Sequence, residues 1–218
     1  MAELLGDAAL AWSPVVANTV MNRGRALGSY GRELGFDVAA FLRGRGPGAR
    51  WLDLCCGEGR AAAEVAALLP GVEVVAVDLV DHFARRVDGV RWVVAGVGEL
   101  GALGLGCFDL VTCVHGLHYV GDKLGVLAYC AGVLRESGVF VANFDVGSLR
   151  GSDGGALGRR AVAALREAGF EYDGRRRRVS RVGRGGVVAW PWRYLGADDR
   201  AGVNYTGAET VAGWSGVG

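Results

Sequence analysis

The chain has 218 residues, 51% of them hydrophobic, and a net charge of +1 at pH 7. That length favours one domain with a sizeable core, although two small ones would also fit, and so even a charge balance gives no global field to recruit nucleic acid or an anionic membrane. The five cysteines are odd in number and lack zinc-ligand spacing, and no stretch of about 18 uncharged apolar residues appears, so a reduced, cytoplasmic protein without a membrane span is expected.

The opening MAELLGDAALAW carries early acids and no basic region, so no secretory signal is expected. Residues 1–48 show apolar spacing of helical type, as at Leu34, Val38, Phe41 and Leu42, and predict a cap of helices. Strand and helix patterns then alternate. RWLDLC reads as a strand ended by Gly57 and Gly59, RAAAEVAALL as a helix stopped by Pro70-Gly71, and VEVVAVD as a second strand. LVDHFARRV predicts a short helix with His82 on its surface, and VRWVVA a third strand. FDLVTCV is a fourth strand, DKLGVLAYCAGVLRESG a helix, and VFVANFD a fifth strand. Continuous apolar strands alternating with helices imply a doubly wound parallel α/β sheet covered on both faces.

GALGRRAVAALREAGF predicts one more helix, with Gly169 as its stop. RRRRVSRV and VVAWPWRYL then read as an antiparallel hairpin around GRGG. Pro191 lies inside the second strand and, having no N–H for the ladder, predicts a bulge or an early strand end. The last residues, from GADDR onward, read as loop and tail.

A doubly wound sheet binds ligands at the carboxyl ends of its strands, so the glycine turn after the first strand and the acid ending the second face one ligand. Asp78 lies 19 residues beyond Gly59, where a carboxylate accepts hydrogen bonds from ribose hydroxyls. A dinucleotide is disfavoured. Glu58 stands between the glycines, where a pyrophosphate would approach, and Asp53 sits in the first strand where such sites keep an apolar residue.

LDLCCGEG, VVAVD, FDLVTCVHGLHYV and VLRESGVFVANF, in that order over roughly residues 50 to 145, resemble four motifs of the class I S-adenosylmethionine-dependent methyltransferases, small-molecule type. The resemblance implies a Rossmann-like sheet of seven mostly parallel strands, whose last hairpin sets strand 7 antiparallel between strands 5 and 6. It implies S-adenosyl-L-methionine as cofactor and methyl transfer to O, N or C of a small molecule, as in specialised metabolism, by a monomer or homodimer. It leaves open a cyclisation using the same cofactor, or a non-catalytic partner subunit. The implied organisation is one domain: a helical cap (1–48), a cofactor-binding core (49–146), and a C-terminal helix, hairpin and tail (147–218).

By position, the resemblance assigns Asp53 to the methionine end, directly or through water, over the turn holding Cys55, Gly57 and Gly59. Asp78 takes the ribose, Leu79 the adenine, and Val114 and His115 lie beside the sulfonium. Two positions depart from the pattern. Cys55 replaces a usual glycine, and Gly96-Val97 replaces a usual acid, so adenine is read there by backbone groups. His115 and His118 are the candidate general bases, with a loop-shaping role as the alternative. They have no third ligand nearby, so no metal is expected. VHGLHY also lacks the Asn/Asp-Pro-Pro-Tyr pattern of base-amine methylation, and Arg175 to Arg178 reads as a solvated strand entry, so nucleic acid is not expected. Tyr30 is a candidate cover for the cofactor carboxylate, with Arg23 or Arg25 as its ion partner; the alternative is an interhelix loop. NYTG, Asn204 to Gly207, either closes over substrate or turns the chain.

Overall fold

The computed structural model describes residues 3–17 and 25–217. A one-turn helix α1 (Asp7–Leu10) is followed by α2 (Leu27–Leu34), ended by Gly35 in the left-handed region, and α3 (Val38–Arg45), capped by Asp37. The sheet then builds through β1 (Arg50–Leu54), α4 (Arg60–Leu68), β2 (Glu73–Asp78), β3 (Val90–Val94), β4 (Phe108–Cys113), α5 (Lys123–Gly132) and β5 (Leu134–Asn143). After β6 (Leu149–Gly151) and α6 (Gly158–Glu167), the chain returns through β7 (Glu171–Asp173) and β8 (Arg178–Val182), and ends with β9 (Trp192–Asp198) and β10 (Ala212–Val217).

The main sheet has seven strands in the order β3-β2-β1-β4-β5-β8-β7. The first five run parallel, and β8 is antiparallel to both β5 and β7. Side chains alternate across each strand, so β1 sends Trp51 to one face and Leu52 and Leu54 to the other. Trp51 packs with Tyr30, Leu34, Val38 and Leu42 of α2 and α3 and with Val65 of α4. Leu52 and Leu54 pack with Leu127 of α5 and Leu165 of α6. The N-terminal helices α2 and α3 thus supply part of one covering layer.

Four expectations need correction. LVDHFARRV forms no helix: Phe83 turns onto Trp92 at 4.8 Å and Ala84 N–H donates to Glu58 O, so tertiary contacts hold the segment in an irregular loop that includes His82. The helix begun at Lys123 ends at Gly132, and Leu134 already pairs with Phe108, so the stretch read as helix end opens β5. The hairpin is β7–β8, not 175–182 with 187–195: the Asp173 carboxylate accepts from the N–H groups of Arg175 and Arg176 and turns the chain there. Pro191 stands just before β9, which starts at Trp192.

The supposed tail is the fourth correction. β10 is the central strand of a second, three-stranded sheet, parallel to β6 and antiparallel to β9. This sheet is tied to the main one by Lys123, at the start of α5. Its ammonium is buried and donates to Val120 O at 2.6 Å and Val211 O at 2.8 Å. Burial pushes its pKa down to about 7. Among the described residues no helix is long and apolar enough to cross a membrane. Lys123→Met would keep the volume and leave two buried carbonyls without donors. Urea denaturation should show a loss of about 1–3 kcal/mol, and an unchanged midpoint would mean the tie carries no weight.

Candidate active site

β1 lies in the middle of the sheet, and Asp53 near its end is completely buried. Tyr30 O–H, from α2, donates to Asp53 Oδ2 at 2.7 Å, and Thr112 O–H, from β4, donates to Oδ1 at 2.7 Å. Trp51 Nε1 donates in turn to Thr112 Oγ1 at 2.8 Å. Burial raises the Asp53 pKa to about 7, against these hydrogen bonds. Tyr30, assigned from sequence to the cofactor carboxylate, has its hydroxyl committed to Asp53.

The turn after β1 puts Cys55 at φ 52, Gly57 at φ 62 and Gly59 at φ 70. Glycine is required at 59, where a Cβ would lie 2.2 Å from the Trp92 ring. Gly57 N–H donates to Asp78 Oδ2 at 2.7 Å, which draws the turn onto the end of β2. Asp78 also accepts from Val80 N–H, and burial raises its pKa. Cys55 takes the left-handed region that glycine normally fills, at a cost in strain. Its side chain fits because Gly116 opposite has none: a Cβ there would fall 2.3 Å from Cys55 Cβ and 2.7 Å from Cys113 Sγ.

A cavity of about 610 Å³ opens at the carboxyl ends of β1 and β2. Cys55, Asp78, Leu79, Gly96 and Val97 line it, as does Arg25. Arg25 is buried, and its Nη1 donates to Cys55 O at 2.6 Å. Residues around α1, among them Leu10, Trp12 and Val16, form the opposite wall. Gly96 N–H accepts no ligand role unaided, since it donates to Glu99 Oε2 at 2.7 Å. Asp53, Gly57, Gly59, Tyr30, Val114, His115 and His118 stand outside the lining, which includes Gly116 and Tyr119 of the loop after β4. Arg23 lies outside the described residues.

His115 is at φ 57, its N–H donating to Asn143 Oδ1 and its Nε2 3.3 Å from Glu33 Oε2. The ring of His118 stacks on it at 5.9 Å and meets Tyr205 edge-on at 5.4 Å. His118 is 1% exposed, and both of its ring nitrogens lack a hydrogen-bond partner among the described residues. Burial pushes its pKa down to about 3, with His115 and Lys123 adding to the shift. Burial also lowers that of His115, while Glu33 opposes the shift. Tyr205 of NYTG sits by this group, in a turn where Asn204 Oδ1 accepts from Thr206 N–H and O–H. In the basic run, Arg177 pairs with Asp145 and Arg178 donates to Leu34 O, while Arg175 and Arg176 are exposed.

Glu33 and Asn143 had no motif to announce them. Asn143, a polar residue closing an apolar strand, was the one available signal.

The donor set suits a nucleoside joined to an amino acid. A carboxylate for a diol, apolar Leu79 and Val97 for a base, and a buried guanidinium for a carboxylate share one cavity. Residues 52–142 match the family described as methyltransferase domain. That stretch is similar to class I S-adenosylmethionine-dependent methyltransferases. The chain is 36% identical over 100 residues to a ubiquinone biosynthesis O-methyltransferase of Xanthomonas campestris pv. campestris (strain B100), a match covering 42% of this chain and 41% of that protein. The chain therefore spans less than half the length of the curated relatives it matches. Among solved structures, the plantazolicin methyltransferase BpumL with SAH aligns at TM-score 0.48 and 14% identity, over 62% of this chain and 57% of that one. An amino pentose methyltransferase of Micromonospora echinaspora, involved in calicheamicin biosynthesis, aligns at 0.43 and 26%, over 56% and 52%.

Two outcomes are expected of this part of the chain. Gly116→Ala should destabilise it by about 1–3 kcal/mol through overpacking, and adding Cys55→Gly should recover part of that loss. Strictly additive effects in a double-mutant cycle would show that the two positions do not share space. The Asp53 carboxyl has a raised folded pKa, so its contribution is present at low pH and is lost as pH rises from 3.8 through about 7. Asp53→Asn removes that dependence. Between pH 4 and 8 the wild type should lose up to about 4 kcal/mol relative to the variant, and parallel stability profiles would contradict the shift.

Proposed function

We propose that this chain transfers a methyl group from S-adenosylmethionine to a small-molecule acceptor. The observation that carries the reading is the pairing of Asp78 and Arg25 on one apolar cavity at the ends of β1 and β2. Asp78 would take the ribose hydroxyls, Leu79 and Val97 the adenine, and the Arg25 guanidinium the methionine carboxylate. Asp53 would act one layer back, holding α2 and β4 on either side of the turn rather than touching the ligand. The cofactor supplies a methyl already activated on a sulfonium, so the protein's main task is to orient the acceptor and receive its proton.

A small acceptor is supported by the wall that residues around α1 place across the cavity from Asp78. The even charge balance supports an acceptor other than nucleic acid, and five free cysteines support a reducing, cytoplasmic setting. Hydroxyl compounds are the first acceptors to try, because the curated relatives are named as O-methyltransferases.

Calorimetry should detect S-adenosylhomocysteine binding and no NAD binding. Asp78→Ala and Arg25→Met should each weaken binding by about 1.5–3 kcal/mol, the range for hydrogen bonds to charged groups. Absence of binding by the wild type would sink the assignment, and full affinity in either variant would remove that residue from the site.

A further inference from the structure

Just past the end of β4, three buried imidazole nitrogens lack hydrogen-bond partners among the described residues: His115 Nδ1 and both ring nitrogens of His118. Buried polar atoms are normally satisfied, so such a group in one place marks a spot that a ligand completes. The two imidazoles differ in one respect. His115 has a carboxylate on its other nitrogen, Glu33 Oε2 at 3.3 Å, whereas His118 has only rings beside it.

Glu33 is itself held. Asn143 Nδ2 donates to Glu33 Oε2 at 3.1 Å, while Asn143 Oδ1 accepts the N–H of His115 at 3.2 Å. One buried amide at the end of β5 therefore fixes both members of the pair. A carboxylate can only accept, so it selects the imidazole tautomer with its hydrogen on Nε2. The lone pair then lies on Nδ1, the buried and unpartnered atom.

We propose that Glu33 is the positioning residue of the site: it holds His115 with its hydrogen on Nε2 and the Nδ1 lone pair unpartnered, and so makes His115 the base. The inference rests on the methyltransferase reading. In the step it describes, the O–H or N–H bond of the acceptor breaks, its electron pair stays on the nucleophilic atom, and the proton passes to Nδ1. The imidazolium so formed keeps Glu33 as counter-ion. His118, neutral in its buried position, serves as a hydrogen-bond partner to the acceptor and takes no proton. The charged and titratable groups around His115 are Glu33 from α2, Arg25 ahead of that helix, and His118 in the next turn; Tyr205 covers the pair from the loop before β10.

Long-range proton–nitrogen NMR on protein with ¹⁵N-labelled histidine tests this without any acceptor. The wild type should show His115 protonated at Nε2 and bare at Nδ1, with its resonances assigned by loss in His115→Asn. In Glu33→Gln the His115 titration midpoint should move to lower pH, since a charge that favours the imidazolium is gone, while His118 stays neutral throughout. A wild-type Nδ1–H tautomer, or an unmoved His115 titration in Glu33→Gln, would overturn the proposal. S-adenosylhomocysteine calorimetry on the same samples separates the two readings. Glu33→Gln should bind within about twofold of wild type, and a wild type that fails to bind would remove the methyltransferase reading whatever the tautomer.

Discussion

The buried carboxyl of Asp53 governs how this site is assembled. It lies in the central strand with no solvent, and desolvation of its charge is costly. Hydroxyls from two other elements offset part of that cost, Tyr30 from α2 and Thr112 from β4. The offset works only with both elements in register, so the group penalises any arrangement that separates them. α2 in its place presents Glu33 to His115, and β4 in its place delivers Cys113 to the far side of the Cys55 turn. A hydrophobic residue at 53 would pack well and would remove this tie between α2 and β4. In this fold the polar network sets alignment more than stability, which burial of Trp51, Leu52 and Leu54 already supplies.

The parallel half of the sheet was legible because its strands are uninterrupted apolar runs ended by glycine or aspartate, and both cues act locally. The C-terminal half was not. β7 has only three residues, too short for a period to show, and β10 is rich in glycine, so neither carries a strand signature. Their pairing is decided by partners distant in sequence, β8 for one and β6 with β9 for the other. The loop at 79–87 failed for a related reason: its composition suits a helix, but Phe83 gains more on Trp92 than a short isolated helix would gain in water.

For the site, the residues carried by local motif, Asp78, Leu79, Gly96 and Val97, line one cavity with Cys55. What the sequence could not display was who faces whom. Tyr30 was read as a cover for the cofactor carboxylate, and its hydroxyl donates to Asp53. Cys55 stands where glycine is usual, and its side chain occupies the room left by Gly116, 61 residues later. A residue change at one wall matched by a missing side chain at the other keeps the width of the turn, and only coordinates in three dimensions reveal the match.

Lys123 is the only lysine in the chain, and it is sealed between the two sheets. Amine-directed labels therefore have no other side chain to modify. Burial keeps a large share of its amine uncharged near neutral pH, which is the nucleophilic form, yet the site admits no reagent while Val120 and Val211 hold it. Acylation of this one side chain thus acts as a clock for the parting of the two sheets. Peptide mapping, which tells this addition from one on the terminal amine, would record the first opening of each molecule without any engineered probe.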